Sequence, residues 1–111
     1  MSKYSDFLLD PGFMGGSLTV LCAHCESPYT HQKRVETYAR KEDSDTGIYN
    51  EVDFFKQTVT QGTDASTSNP SSRRDGIRVV LTCEECNGKT DLTIVQHKGN
   101  TFLSLEKSDE R

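Results

Sequence analysis

All four cysteines of the chain fall in two Cys-x-x-Cys pairs: Cys22 and Cys25 in "LTVLCAHCESPYT", and Cys83 and Cys86 in "RVVLTCEECNGKTDLTI". No other feature restricts the fold as strongly. Each pair lies at a tight turn and places two sulfurs on one side of it. Two such turns facing each other supply four thiolates in a tetrahedron, which suits a sulfur-seeking cation with no geometric demand of its own. That cation is zinc. Fifty-seven residues separate Cys25 from Cys83, and because loop-closure entropy grows only logarithmically with length, an insertion of this size is tolerable. After the second cysteine of a knuckle, a residue at ease with positive φ helps turn backbone N–H groups toward sulfur. Asn87 and Gly88 fit that need, whereas Glu26 and Ser27 fit it less well, so the second knuckle is expected to be the better formed.

Other chemistries use the same residues. A redox centre of the thioredoxin kind needs one Cys-x-x-Cys at a helix N-terminus within a βαβ rhythm, and this chain shows two pairs flanked by strands. Paired disulfides belong to secreted domains. The N-terminus, "MSKYSDFLLDPGFMGG", lacks the sustained apolar region of a secretory signal, so the expected compartment is the cytoplasm, where thiols stay reduced. Iron in an all-thiolate site is the remaining mimic. The expected set is therefore one structural zinc held by Cys22, Cys25, Cys83 and Cys86. His24 lies within the first knuckle but is surplus to a closed shell. His31 and His97 stand on strand-like runs without a second ligand at catalytic spacing.

The rest of the chain explains why a staple is useful. Only 32% of its 111 residues are hydrophobic and none is Trp, so one domain of this size buries a modest core. Residues 1–16 read as a loosely structured leader in which Phe7, Leu8, Leu9 and Phe13 have the chemistry to dock on the body. A single domain is expected over 17–106, followed by a solvated tail at 107–111. Within it, 18–21 reads as a short strand. Residues 30–40 alternate Val35, Thr37 and Ala39 with Arg34, Glu36, Tyr38 and Arg40, as a strand with one wet face would. Residues 48–60 alternate again and form a hairpin with 30–40. Residues 61–76, rich in Gly, Ser, Thr, Asn, Asp and Pro, read as a long mobile loop. Residues 77–82, 91–97 and 101–105 complete the strands, the last two joined by the hairpin turn "KGN". The predicted fold is mainly β: a small antiparallel sheet with an inserted β-hairpin and a long polar loop.

Catalytic apparatus is missing from this reading. Four cysteines leave no open position on a zinc ion for water. No nucleophile motif, phosphate-cradling loop or dinucleotide fingerprint occurs. The acidic pairs Glu84/Glu85 and Asp43/Asp45 read as solvated turn residues. The formal net charge of −4 argues against nonspecific coating of nucleic acid, and no apolar run is long enough to span a membrane.

Several blocks together resemble a family of small bacterial and phage zinc-ribbon proteins: a Cys pair, "NPSSRRDG" (69–76), "CEEC" (83–86) and "QHKGNT" (96–101). The resemblance covers about Leu18 to Leu105 and implies a β-rich zinc ribbon of phage or bacterial cytoplasmic origin, with no established activity. One departure stands out: where the family's first knuckle is usually Cys-Pro-x-Cys-Gly, this chain has Cys22-Ala23-His24-Cys25-Glu26.

Arg73, Arg74, Arg78, His97 and Lys98 form the candidate recognition patch, expected with Lys89 around the second knuckle if the hairpin ends fold close together. Arginine there suits carboxylate or phosphate. Three functions compete: a non-catalytic module binding a protein partner, a zinc ribbon binding nucleic acid through this patch, and a redox protein. Unpaired sheet edges also make a homodimer an option.

Overall fold

The computed structural model describes residues 9–11, 18–42, 44, 46–63, 68–72 and 74–108. Eight strands run in chain order: β1 Leu9–Pro11, β2 Leu18–Val20, β3 Thr30–Arg40, β4 Gly47–Asp53, β5 Thr58–Gly62, β6 Gly76–Cys83, β7 Lys89–His97 and β8 Asn100–Lys107. There is no helix among the described residues. β1 and β2 pair as a small ribbon of their own, with Leu9 opposite Val20. The other six form one antiparallel sheet in the order β5-β4-β3-β6-β7-β8. Two three-stranded meanders are thus joined along β3 and β6, from Tyr38 opposite Gly76 to Thr30 opposite Cys83. The insertion between the knuckles holds β4, β5 and the polar loop.

The alternation over 48–60 is not one strand. It breaks after Asp53, whose Oδ1 accepts hydrogen bonds from the N–H groups of Phe55 and Lys56 at 3.0 Å each. Gln57 then takes a positive φ of 57°, and β5 returns beside β4. An aspartate that bonds the backbone two residues on is a turn former, and here it overrides the period-two pattern. Opposite it, the bulge at Lys33 sends that residue's carbonyl to the N–H of Phe54 at 2.9 Å. The "KGN" turn forms as read, with Lys98 and Gly99 both at positive φ, the conformation of a two-residue type I′ hairpin.

Register sorts the side chains into two faces. Val59, Val52, Val35, Val79, Leu92 and Leu105 line up across all six strands on one of them, next to a row containing Ile77, Ile94 and Leu103. The opposite face carries Glu51, Glu36, Arg78 and Thr93 in one row and Arg34, Val80 and Asp91 in the next. The expectation of a wet polar face on β3 is reversed. Glu36, Tyr38 and Arg40 are buried, while Val35 and Thr37 are half-buried and Ala39 is exposed. The cover is the loop read as mobile. Arg78 donates to the Ser68 carbonyl at 3.0 Å and Arg40 contacts that of Ser71 at 3.5 Å. A Cβ on Gly76 would lie 2.2 Å from Asn69 Oδ1, so the loop approaches the sheet closely at that position.

Burying so many polar groups requires partners for them. Glu36 accepts from the Tyr38 hydroxyl at 2.7 Å, from Arg78 at 2.9 Å and from Arg34 at 2.9 Å. Burial pushes its carboxyl up, but these hydrogen bonds and the two guanidinium charges outweigh it and hold the group below the usual carboxylate range. Tyr38 also stacks on Tyr49, with ring centroids 5.9 Å apart.

The apolar core gathers at the opposite end of the sheet. Ala23 and Leu105 pack with Val20 and Leu92, and Val80, Thr90 and Cys22 are the largest fully buried side chains. Ala23 N–H donates to Thr90 Oγ1 at 2.9 Å, fastening the first knuckle onto β7. The cysteine turns are thus part of the core rather than appendages to it.

Candidate metal centre

The two knuckles are built alike. Cys22 N–H donates to the Ser27 carbonyl at 2.8 Å, and Cys83 N–H to the Gly88 carbonyl at 3.0 Å. The residue after each second cysteine is left-handed, Glu26 at φ 65° and Asn87 at φ 61°. The first knuckle therefore closes as completely as the second, even though glutamate suits that conformation less well than asparagine. His24 N–H donates to Cys22 Sγ, Glu85 N–H to Cys83 Sγ and Gly88 N–H to Cys86 Sγ, each at 3.3 Å. Donors of this kind stabilise sulfur as thiolate.

The knuckles face each other. Cys22 Sγ lies 3.6 Å from Cys86 Sγ, and Cys25 Sγ lies 3.5 Å from Cys83 Sγ. All four sulfurs fall within 4.8 Å of one another. A zinc–sulfur bond of about 2.3 Å in a regular tetrahedron requires sulfurs about 3.8 Å apart, so the spacing fits one zinc ion. These distances are also far beyond an S–S bond of about 2.05 Å. Two of the sulfurs belong to buried residues and two to exposed ones.

Electrostatics point the same way. At Cys83, burial opposes ionisation, but the N–H groups of Cys86 and Glu85 and the neighbouring thiols lower the group to about 7. At Cys25, the Ser27 N–H favours the thiolate, but desolvation and the other three cysteines raise the group to about 12. Cys86 is also raised, since desolvation and the Cys22 and Cys83 sulfurs outweigh the Gly88 N–H. Four sulfurs this close resist full ionisation by themselves, and a divalent cation among them removes that resistance.

A further shell ties the knuckles together. The His24 ring contacts the Lys89 carbonyl through Nε2 at 2.8 Å. The same ring lies against Gly88, where a Cβ would come within 2.5 Å of it and 3.2 Å of Cys86 Sγ. Gly88 thus serves close approach rather than a special φ. His31 pairs with Glu84, and Glu84 N–H donates to the Tyr29 carbonyl at 3.0 Å. Glu84 is therefore paired, not merely solvated. Sequence reading set His24 aside because four ligands were already present. The only hint of its role was its place between the first two cysteines. Asp43 and Asp45 lie outside the described residues.

The candidate recognition patch does not form around the second knuckle. Gly76 and Cys83 are opposite ends of β6, separated by about 23 Å at about 3.3 Å per residue. The loop and the β7–β8 hairpin meet at the far end. There Ser71 Oγ donates to the Gln96 carbonyl at 3.1 Å, and Gln96 N–H to that of Asp75 at 3.1 Å. Arg74, His97 and Lys98 belong to this end, and the His97 ring sits 6.4 Å from that of Phe102. Lys89 stays at the knuckle end. Arg78 is engaged on the polar face, with Glu36 at 2.9 Å and Asp91 at 3.6 Å. Arg73 lies outside the described residues.

Comparison with protein-family models, with curated proteins and with solved structures returned no match. The zinc-ribbon likeness therefore stands on the four-cysteine cluster and the small β fold alone.

Proposed function

We propose that this chain is a non-catalytic, zinc-clamped module that binds a protein partner through the apolar face of its sheet. One observation carries the reading: Val59, Ile48 and Leu103 are 65%, 58% and 58% exposed, on the face where Val35, Val52, Ile77 and Ile94 are only half-buried. Large apolar side chains exposed on one face in this way mark an interaction site. The metal site supports the same view, because four sulfur ligands complete a tetrahedral shell and leave no position for substrate or activated water. The reading places the protein in a reducing, cytoplasmic setting.

Nucleic acid is the less favoured partner. Arg78 is engaged by carboxylates, and the remaining basic residues of the far end lie within a chain of net charge −4.

The test is affinity capture with zinc-loaded protein, before and after nuclease, alongside a Val59→Asp/Leu103→Asp variant. The reading expects one protein partner that survives nuclease and is lost with the variant, while zinc content is unchanged. Capture that disappears with nuclease, or that ignores the variant, rejects it. Gel filtration of the same samples shows whether the partner is a second copy.

A further inference from the structure

Arg40 ends β3, about 30 Å along that strand from the knuckles. Its residue is 9% exposed. Its backbone N–H donates to Asp75 Oδ1 at 2.8 Å, but its guanidinium has one contact, from Nη2 to the Ser71 carbonyl at 3.5 Å. Its Nε is buried without an acceptor. Among the described residues, no carboxylate stands within ion-pairing distance of it. The chain has 17 acidic residues against 13 Lys and Arg, so carboxylates are not scarce. On the same sheet face Arg34 and Arg78 both have one, in Glu36. A buried cation left without a partner is costly.

Arg74 repeats the pattern in the loop that contacts Arg40 through Ser71. It is half-buried and its Nε is also buried without an acceptor. Ser71 links the two: Arg40 Nη2 contacts its carbonyl, and the backbone N–H of Arg74 donates to its Oγ at 3.1 Å. The loop that presents them is tightly fastened. Asn69 accepts from Ser71 N–H at 2.9 Å and donates to the Arg74 carbonyl at 2.7 Å, while Ser71 Oγ reaches across to β7. Such bracing is what a binding cradle needs and a solvated linker does not.

We propose that Arg40 and Arg74, braced around Ser71, form a binding site for a single oxyanion group, a carboxylate or a phosphate. A guanidinium offers such a group a planar fork of donors, and low exposure strengthens each bond. The Asp75 carboxylate on the Arg40 backbone sets a limit on net attraction, so the site takes one small anionic group rather than a polyanion. Arg40 was outside the sequence-derived patch, and Arg78 is outside this site.

The experiment follows the arginine Nε–H signals of zinc-loaded, ¹⁵N-labelled full-length protein. Inorganic phosphate is titrated against chloride at constant ionic strength, and acetate is titrated separately. The Arg40 and Arg74 signals shift saturably with one common midpoint, while those of Arg34 and Arg78 stay in place. Response to phosphate alone, or to acetate alone, identifies which oxyanion the site accepts. Arg40→Met removes a buried charge and weakens the response at least about tenfold. Absence of a saturable shift with either anion, or an unchanged response in Arg40→Met, overturns the proposal. The wild-type titration stands by itself if that variant fails to fold.

Discussion

Glu36→Gln is the sharpest probe of the inverted sheet. Glu36 is 7% exposed, and its carboxylate takes three hydrogen bonds, from Tyr38, Arg78 and Arg34. Glutamine keeps the shape but removes the charge, and it turns one acceptor into a donor aimed at a guanidinium. A bond to a charged group contributes about 1.5–3 kcal/mol net. Removing one member of a buried ion pair costs about 3–5 kcal/mol, because the other charge stays behind. The expected loss is therefore about 3–5 kcal/mol, a large part of the roughly 5–15 kcal/mol available to a domain. In urea, at a slope near 2 kcal/mol per molar, the midpoint of zinc-loaded protein falls by about 2 M with its slope unchanged. The sign with pH follows from the lowered carboxyl. The stability it contributes is fully present above its unfolded value and lost as pH falls through its lower folded value. The gap between wild type and variant thus stays constant from neutral pH down to about pH 5.5. A variant within about 1 kcal/mol of wild type at neutral pH would refute the buried network.

Other outcomes follow from the metal end and the strand turns. Purified protein carries one zinc per chain by elemental analysis, and a strong chelator removes its cooperative thermal transition, since structural zinc contributes about 10–16 kcal/mol. With Cys25 raised to about 12 and Cys86 also raised, zinc binding at neutral pH releases about two protons or more, read by calorimetry in two buffers of different ionisation enthalpy. Affinity accordingly falls as pH falls. Gly88→Ala weakens zinc binding at least about tenfold in a competitive chelator assay, and His24→Ala in the same chain restores part of the loss by removing the ring that the new methyl meets. Asp53→Ala, which removes both hydrogen bonds of the β4–β5 turn, lowers the midpoint in the same urea assay and leaves its slope unchanged.

Much of this molecule can be read from its residues, and the rest has identifiable physical causes. The strands over 30–40 and 77–82 follow their alternation, and "KGN" makes the turn its chemistry demands. The four sulfurs converge because each knuckle carries its own backbone geometry, including at Glu26. Alternation failed at Asp53 because one side chain bonding its own backbone ended the strand while the pattern continued. It misjudged the faces for a different reason. Period two separates polar from apolar but does not say which side another part of the chain will cover. The Glu36 carboxylate accepts from Arg34, Tyr38 and Arg78, so their side is able to go under the loop. That loop is rich in residues that usually mean mobility, yet Asn69 and Ser71 spend their polar atoms fastening it. The recognition patch was misplaced because proximity of turns in sequence does not say at which end of a long strand they stand.

The central partnership of β3 with β6 has a consequence for biosynthesis. β3 leaves the ribosome early and can pair at once only with β4, its other edge waiting until the polar loop and β6 have been made. Until Cys83 and Cys86 emerge, the first two thiols have no complement and a long strand edge stands open to any passing chain. Metal capture and closure of the sheet are therefore one late event, and zinc-starved cells should accumulate the half-made product as aggregate rather than as a slower-folding soluble form.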